Sequence, residues 1–538
     1  MAGLATAFGS GAMTNSIADL YESECYLITG TNTTENHPVI ATFVKRAVTQ
    51  RGAKLILVDP REIDLARFAT VWLRQSPGTD IAWINGFINI IINEGLADDK
   101  FIAERTENFN AVKEAVRKYT PEHVESITGI PGDDLVKAAR MYAEADASAI
   151  LYAMGITQHI TGTDNVKSLA NLAMVTGNIG RPGTGVNPLR GQNNVQGACD
   201  MACLPGNLPG YRKVGDDAHR KPFEDAWGVT LPSKPGLTIP KIIDGASSGL
   251  VIALFVMGEN PMMSDPDIGH VEKALNNLEL FVVQDIFLNE SGLLAQVVLP
   301  TAGWAEKDGT YTNTERRVQR IRKAVYAPGE ALTDWEVITM LANKLGAGWD
   351  YSSAREIMDE INAVTASYKG ITYDRIEDTG IPWPCPSVDH PGTTILHAEA
   401  FTRGKGLFSV TEHIPPAELP DDEYPFLLTT GRILYQFHTA TMTRRSKGLV
   451  SRTPDAFVEI NPEDAENLAI LHGDKLKLTS RRGTILVAAD ITERCGKGVV
   501  FVPFHYSEAA VNRLTNTAID PVANIPEYKV CAVRIEKA

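Results

Sequence analysis

Short apolar runs recur along the first third of the chain, and each ends at a turn residue. Glu24–Thr29 stops at Gly30-Thr31-Asn32 and reads as a buried strand. His37-Pro38 then opens a helix through about Gln50, with proline in the first turn, where a missing N–H costs nothing. Lys54–Val58 is a second buried strand, closed by Asp59-Pro60-Arg61, and Ala69–Leu73 is a third. Ser76-Pro-Gly-Thr79-Asp80 caps the next of the helices that fill 80–146, among them the well-patterned Asp133–Ala145. Ala149–Ala153 returns as a strand and Asp164–Thr176 as a helix. Alternating strands and helices predict an α/β fold with a parallel sheet covered on both faces.

Residues 205–248 are rich in Pro and Gly and carry no assignable period. The pattern then restarts with an echo. Leu250–Met257 ends in Gly258-Glu259-Asn260, as the first strand ended in Gly30-Thr31-Asn32. Leu280–Val283 ends at Asp285, as the second ended at Asp59, and Gln296–Leu299 follows as the third did. Gly30 to Asp59 is 29 residues and Gly258 to Asp285 is 27; from each aspartate to the middle of the third strand is 12. Turn, acid and strand at matching spacing predict two homologous Rossmann-like halves. Residues 350–420 hold two predicted helices and Pro-rich irregular sequence. From Tyr424 five short strands separated by turns predict a compact β-barrel: Phe426–Thr429, Ala456–Ile460, Lys475–Thr479, Gly483–Ala489 and Val499–Pro503. The expected domains are therefore 1–190 and 191–345 (the two halves), 346–423 (a connection) and 424–538 (the barrel).

One stretch obeys neither period. Gly185–Met201 holds one arginine, three glycines and five amide side chains, and reads as a loop with apolar segments on both sides. Arg190 is then a fixed cation among hydrogen-bonding amides, suited to a small carboxylate or a phosphate.

The totals narrow the partners. A formal charge of −15 argues against nucleic acid or an anionic membrane, and no apolar run approaches the length of a membrane span. Six scattered cysteines are too few for a disulfide framework and fit a reducing compartment, the cytoplasm. Cys199-x3-Cys203 is weak as a metal motif, and His438 and His505 lack a second ligand at metal spacing, so no residue is assigned to a metal.

Ligands of open α/β sheets sit beyond the carboxyl ends of the strands. Gly30, Asn32 and Asp59 occupy that position in the first half, and Gly258, Asn260 and Asp285 in the second. Alone, each aspartate would read as a turn or helix cap; their duplication favours paired nucleotide sites. Neither half has a full G-x-G-x-x-G, which weakens a plain NAD or FAD site. On the barrel, Thr429-Thr430-Gly431-Arg432, His438, Asn512 and Glu527-Tyr528-Lys529 bring hydroxyls, amides and cations suited to phosphates and heterocycles.

With the paired Gly-x-Asn halves and the Thr429–Arg432 stretch, Val186-Asn-Pro-Leu-Arg190-Gly-Gln192-Asn-Asn-Val-Gln-Gly-Ala-Cys-Asp-Met201 resembles the molybdopterin oxidoreductase family, in its formate dehydrogenase alpha-subunit branch. The likeness covers essentially the whole chain. It implies a Mo- or W-bis(molybdopterin guanine dinucleotide) cofactor, one dinucleotide per half, under a barrel of double-psi type. It also implies interconversion of formate and CO2, with electrons leaving through a [4Fe-4S] cluster to iron–sulfur or diaphorase-type subunits. Arg190 carries over as the group that orients formate. Dinucleotide contacts carry over to Gly30, Asn32, Asp59 and Arg61, to Gln192, to Gly258, Glu259, Asn260 and Asp285, and on the barrel to Thr430, Arg432, His438, Asn512, Tyr528 and Lys529.

The departure from the family is at the start. Members begin with a Cys-rich cluster domain and then a selenocysteine or cysteine metal ligand followed by histidine, whereas the first cysteine here is Cys25, inside a strand. The expectation is a chain lying downstream of a selenocysteine codon in a longer subunit, with cluster and metal ligand upstream, and inactive alone. The alternatives are a non-catalytic molybdopterin-binding subunit or scaffold, or a related oxidoreductase of another small oxyanion.

Overall fold

The computed structural model describes all 538 residues, which divide into two compact units. The first comprises Met1–Leu189, Met263–Gly269 and Ile395–Ala538; the second comprises Arg190–Met262 and His270–Thr394.

In the first unit, β1 (Cys25–Thr29), β2 (Lys54–Val58), β3 (Val71–Leu73), β4 (Ser148–Tyr152) and β5 (Gly185–Pro188) form a sheet in the order β3-β2-β1-β4-β5, every pairing parallel. All residues of β1 and β4 are buried. The strands read as unbroken apolar runs because helices cover both faces. Cys25, Leu27, Ile56 and Val58 pack with α2 (Asp80–Asn93), α3 (Gly132–Glu144) and α4 (Gly162–Val175). The alternate residues Tyr26, Ile28, Leu55 and Leu57 pack with α1 (Pro38–Arg46).

In the second unit, β6 (Ala253–Met257), β7 (Leu280–Asp285) and β8 (Val297–Pro300) form a parallel sheet in the order β8-β7-β6. The echo in the sequence holds to the register. Val71 pairs with Ile56 and Val297 with Val282, each three residues before its aspartate. Gly30 and Asp59 directly follow the paired residues Thr29 and Val58, and Gly258 and Asp285 directly follow and join the pairing of Met257 with Gln284. A hairpin of β9 (Gly309–Thr312) and β10 (Arg317–Ile321), extended by β11 (Ile381–Pro382), completes the unit's sheets apart from a two-residue pairing at 207–213.

The first unit also holds the closed barrel, β12 (Phe426–Gly431), β13 (Phe457–Ile460), β14 (Lys475–Thr479), β15 (Thr484–Ile491), β16 (Val499–Pro503) and β17 (Cys531–Lys537), in the order β12-β16-β13-β15-β14-β17. Five of these strands match the sequence reading. The sixth, β17, was not among the expected strands; it pairs with both β12 and β14 and closes the ring.

Three local expectations are corrected. Gly185–Met201 is not one loop: its first four residues are the buried edge strand β5, and Val195–Asp200 is a helical turn and a half. Composition hid the strand because the amide of buried Asn187 is satisfied by distant chain, accepting the Asn15 N–H at 3.3 Å. Residues 205–248, unassigned from sequence, contain helices at Asp217–Trp227 and Ile239–Ser247. Residues 350–420 hold one helix of the two expected, Ala354–Val364, with turns after it around Gly370, whose Cα packs against the Ser387 backbone.

Candidate functional site

The carboxyl ends of β1 and β4 are adjacent although a long stretch of chain separates them, so the sheet's switch point lies between them. Two glycines meet there. Gly30 has φ +58°, and a Cβ on it would fall 2.6 Å from the Ile156 nitrogen; one on Gly155 would fall 2.5 Å from the Gly30 Cα. The Gly155 N–H donates to the Gly30 carbonyl at 2.9 Å, locking the two strand-end turns together. Asn32 follows at the start of a single helical turn. Its side chain makes no capping bond, and both Oδ1 and Nδ2 are buried without a partner. The Gln75 Oε1 is buried and unpartnered too.

Around this edge gathers a group of buried ionisable side chains from the same unit. Asp59 accepts the Arg61 N–H at 3.0 Å, and burial pushes its pKa up to about 6 despite that bond and the nearby cations. Asp80, the first residue of α2, is pushed by burial up to about 7. His159 places Nε2 2.8 Å from the Gly155 carbonyl, which accepts its proton; burial pulls its pKa down to about 4, so the ring is neutral with an unpartnered Nδ1. That Nδ1 lies 3.9 Å from Glu527, and Nε2 lies 3.8 Å from Asp80. Lys529 donates to the Thr430 carbonyl at 2.7 Å; burial and the neighbouring Arg432 pull it down to about 8, with Asp59 opposing. Burial lowers Arg432 as well. The Thr430 hydroxyl donates to the Tyr528 carbonyl at 2.8 Å.

Under-paired cations, buried acids near neutrality and orphaned amide atoms are costly in an empty fold. They suit a ligand that brings phosphate charge and a heterocycle with its own donors and acceptors.

Three candidates in this unit have other employment. Arg61 donates through Nε and an amino nitrogen to both oxygens of Glu459 on β13, each at 2.5 Å, and its guanidinium lies 4.0 Å over the Phe501 ring. Asn512 donates to the carbonyls of Met263 (2.9 Å) and Ser264 (3.1 Å). His438 sits at φ +48° with its ring edge-on to Phe504, and its carbonyl accepts from His505 Nδ1. His505 Nε2 accepts the Ile433 N–H at 3.1 Å, so both its ring nitrogens are engaged with backbone.

The second unit holds the remaining candidates. Gly258 has φ +64°, open space where a Cβ would stand, and an N–H donating to Gln284 at 2.8 Å. Glu259 accepts the Asn260 N–H at 3.0 Å. Asn260 is fully engaged: Nδ2 donates to Glu290 at 2.7 Å, and Oδ1 accepts from the Ser291 hydroxyl at 2.7 Å. Asp285 caps the following turn, taking Ile286 N–H at 2.6 Å and Asn289 Nδ2 at 2.8 Å.

The unit opens on Arg190. Its N–H donates to Thr314 Oγ1 at 3.1 Å and its Nε to Gln196 Oε1 at 3.1 Å. The segment is pinned again where the Thr312 N–H donates to Asn194 Oδ1 at 2.8 Å, and Gln192 stands half-buried between these anchors. Arg190 is thus a half-buried cation on a tethered segment, an arrangement chemically suited to a small anion.

Sequence reasoning passed over Gln75 and His159 and took Asp80 for a plain cap. The available signal was Met154-Gly155, a strand-end turn like Gly30-Thr31, which places His159 beside the same switch point.

The molybdopterin oxidoreductase family profile matches residues 3–344, and the molydopterin dinucleotide binding domain profile matches 426–532. This chain belongs to the molybdopterin oxidoreductase family. Over 539 residues it is 54% identical to an F420-dependent formate dehydrogenase subunit alpha from Methanocaldococcus jannaschii, covering 99% of this chain and 80% of that protein. It is 39% identical to formate dehydrogenase H of Escherichia coli, covering 100% of this chain and 76% of that one. Acetylene hydratase from Pelobacter acetylenicus superposes with a TM-score of 0.78 at 22% identity, over 100% of this chain and 80% of its own, a likeness of fold. The family's cofactor is a Mo- or W-bis(molybdopterin guanine dinucleotide), and the orphaned Asn32, Gln75 and His159 atoms and the under-paired Lys529 and Arg432 fit such a dinucleotide.

Proposed function

We propose that this protein is the catalytic subunit of a molybdopterin-dependent formate dehydrogenase, oxidising formate to CO2 or running the reverse reaction. The observation that carries the proposal is the Arg190 segment, a tethered cation among amides in a chain whose relatives are named formate dehydrogenases. When bound, the molybdenum or tungsten group supplies the two-electron chemistry. The protein supplies grip and charge. Arg190 holds the formate carboxylate through charge-assisted hydrogen bonds; oxidation makes a neutral product, so the same cation loosens its hold on CO2. Asn32, Asp59, Asp80, His159, Lys529 and Arg432 hold one dinucleotide, and the open space beside Gly258 admits the other.

On this reading electrons leave through a [4Fe-4S] cluster toward iron–sulfur or diaphorase-type subunits, and F420, in the name of the M. jannaschii relative, is the acceptor to test first. All six cysteines are free thiols, which supports a cytoplasmic location, and no helix is long and apolar enough to cross a membrane. The test is formate turnover by the complete holoenzyme, with metal group and iron–sulfur cluster in place. Arg190→Ala should lower kcat/KM by at least about a hundredfold; an unchanged value would remove Arg190 from its role.

A further inference from the structure

Asp200 is 1% exposed and collects four donors, all from its own unit. Oδ1 accepts from Tyr211 Oη at 2.6 Å and from Gln196 Nε2 at 2.8 Å. Oδ2 accepts from Tyr368 Oη at 2.5 Å and from Trp383 Nε1 at 2.7 Å. Burial raises its pKa while the four donors oppose that rise. None of this touches substrate, yet one of the four donors leads straight to Arg190.

That donor is an amide, and an amide has a donating end and an accepting end. A carboxylate can only accept, so Gln196 must turn Nε2 toward Asp200, where Tyr211 Oη also lies 2.9 Å away. Its Oε1 is then committed to the other side, where it accepts from Arg190 Nε. The Nε–H lies in the guanidinium plane, so one hydrogen bond there fixes the orientation of the whole fork. Placing an amide between the two charges also matters. A carboxylate in direct contact with Arg190 would form a bidentate pair and compete with an anionic substrate.

We propose that Asp200 is a positioning residue: through the Gln196 amide it sets the plane of the Arg190 guanidinium and so the affinity of the site for a small carboxylate. The inference rests on the reading of Arg190 as the carboxylate-binding group. Asp200→Asn is nearly isosteric and reverses the polarity. Trp383 can only donate, so the new amide must turn its oxygen to Trp383 and its NH2 to Gln196. Gln196 then flips, and its own NH2 meets the Arg190 Nε–H.

The experiment measures acetate binding by calorimetry, and formate kcat and KM, on the cofactor-loaded enzyme and its variants. Asp200→Asn should weaken acetate and raise the formate KM by about tenfold, with kcat changed much less. Gln196→Met, which removes the intermediary, should do the same. In the Gln196→Met background Asp200→Asn should add little, because the hydrogen-bonded amide between Asp200 and Arg190 is gone. Unchanged acetate affinity in Asp200→Asn, or two losses that multiply in the double variant, would overturn the relay. Should Asp200→Asn not fold, Gln196→Met decides alone, and unchanged acetate affinity in it sinks the proposal. A wild-type enzyme inert to formate that still shows this acetate pattern removes the proposed reaction and leaves the relay standing.

Discussion

The two Rossmann-like halves share a turn, an acid and a third strand at nearly the same spacing and in the same register, and they differ in almost everything those residues do. In the first half Asn32 has both side-chain atoms buried and unpartnered; in the second, Asn260 is tied to Glu290 and Ser291. Asp59 takes one backbone N–H and is pushed up to about 6; Asp285, also raised by burial, is held as a turn cap by Ile286, Phe287 and Asn289. Two residues past the acid, the first half has Arg61, locked to Glu459 of the barrel; the second has Phe287, 37% exposed. Even the sheets differ: all of β1 is buried, and no residue of β6 is. A conserved spacing therefore sets where a site can form, and the neighbours decide whether its polar groups are left for a ligand or used up by the fold.

Substitutions at matched positions should break this contrast or sharpen it. The largest effect should come from Arg61→Met, which leaves buried Glu459 without its bidentate partner and should cost about 3–5 kcal/mol in urea unfolding. Converting Glu459 to Met as well should recover most of that loss. A small cost for Arg61→Met alone would mean that Arg61 is available for a dinucleotide after all.

Next is the glycine pair. Both sit at positive φ, so each alanine substitution meets left-handed strain of about 1–2 kcal/mol. Gly30→Ala also drives a Cβ into the Ile156 backbone and should lose about 2–4 kcal/mol in all, whereas Gly258→Ala enters open space and should lose only the strain. Equal losses would contradict the close packing of the two strand-end turns.

Asn260→Leu strands Ser291 and Glu290 and should destabilise by about 2–3 kcal/mol. Asn32→Leu should leave the stability of the cofactor-free chain unchanged or higher while reducing the guanine dinucleotide released on denaturation. The reverse ordering would undo the assignment of Asn32 to a ligand.

The last effect is a slope with pH, small over any one pH unit. Asp80 is raised from 3.8 to about 7, so between these values the folded chain holds a proton that the unfolded chain has lost. Its stabilising contribution is complete below 3.8 and disappears as pH rises through about 7. His159, lowered from 6.5 to about 4, works in the opposite sense between those limits. Asp80→Asn should therefore remove a downward slope of at most about 1.4 kcal/mol per pH unit from the unfolding free energy. An unaltered slope would place the Asp80 titration elsewhere.

Much of the architecture was legible because burial on both faces writes itself as apolar runs, and a parallel strand must end in a turn. β1, β2 and the repeat of turn and acid all came from that rule. β17 escaped because seven residues alternating at the chain's end look like a tail until β12 and β14 bracket them. β5 escaped because Gly-Val-Asn-Pro has the composition of a turn. For the site, residue type singled out Arg190 among its amides, whereas Lys529 was read only as one of a group of barrel residues. His159 was signalled only by the Met154-Gly155 turn before it, and Gln75 left no trace.

By itself, then, the sequence determined the two-half plan, the barrel region and the cation at 190, since hydrophobic period, turn chemistry and motif spacing are local properties of the chain. Only the tertiary structure decided which of the paired residues remain available, because a hydrogen bond such as Arg61 to Glu459 joins residues 398 positions apart. It also decided the state of Asp59, Asp80, His159 and Lys529, since burial, the largest cause of each shift, depends on how much chain folds over a residue.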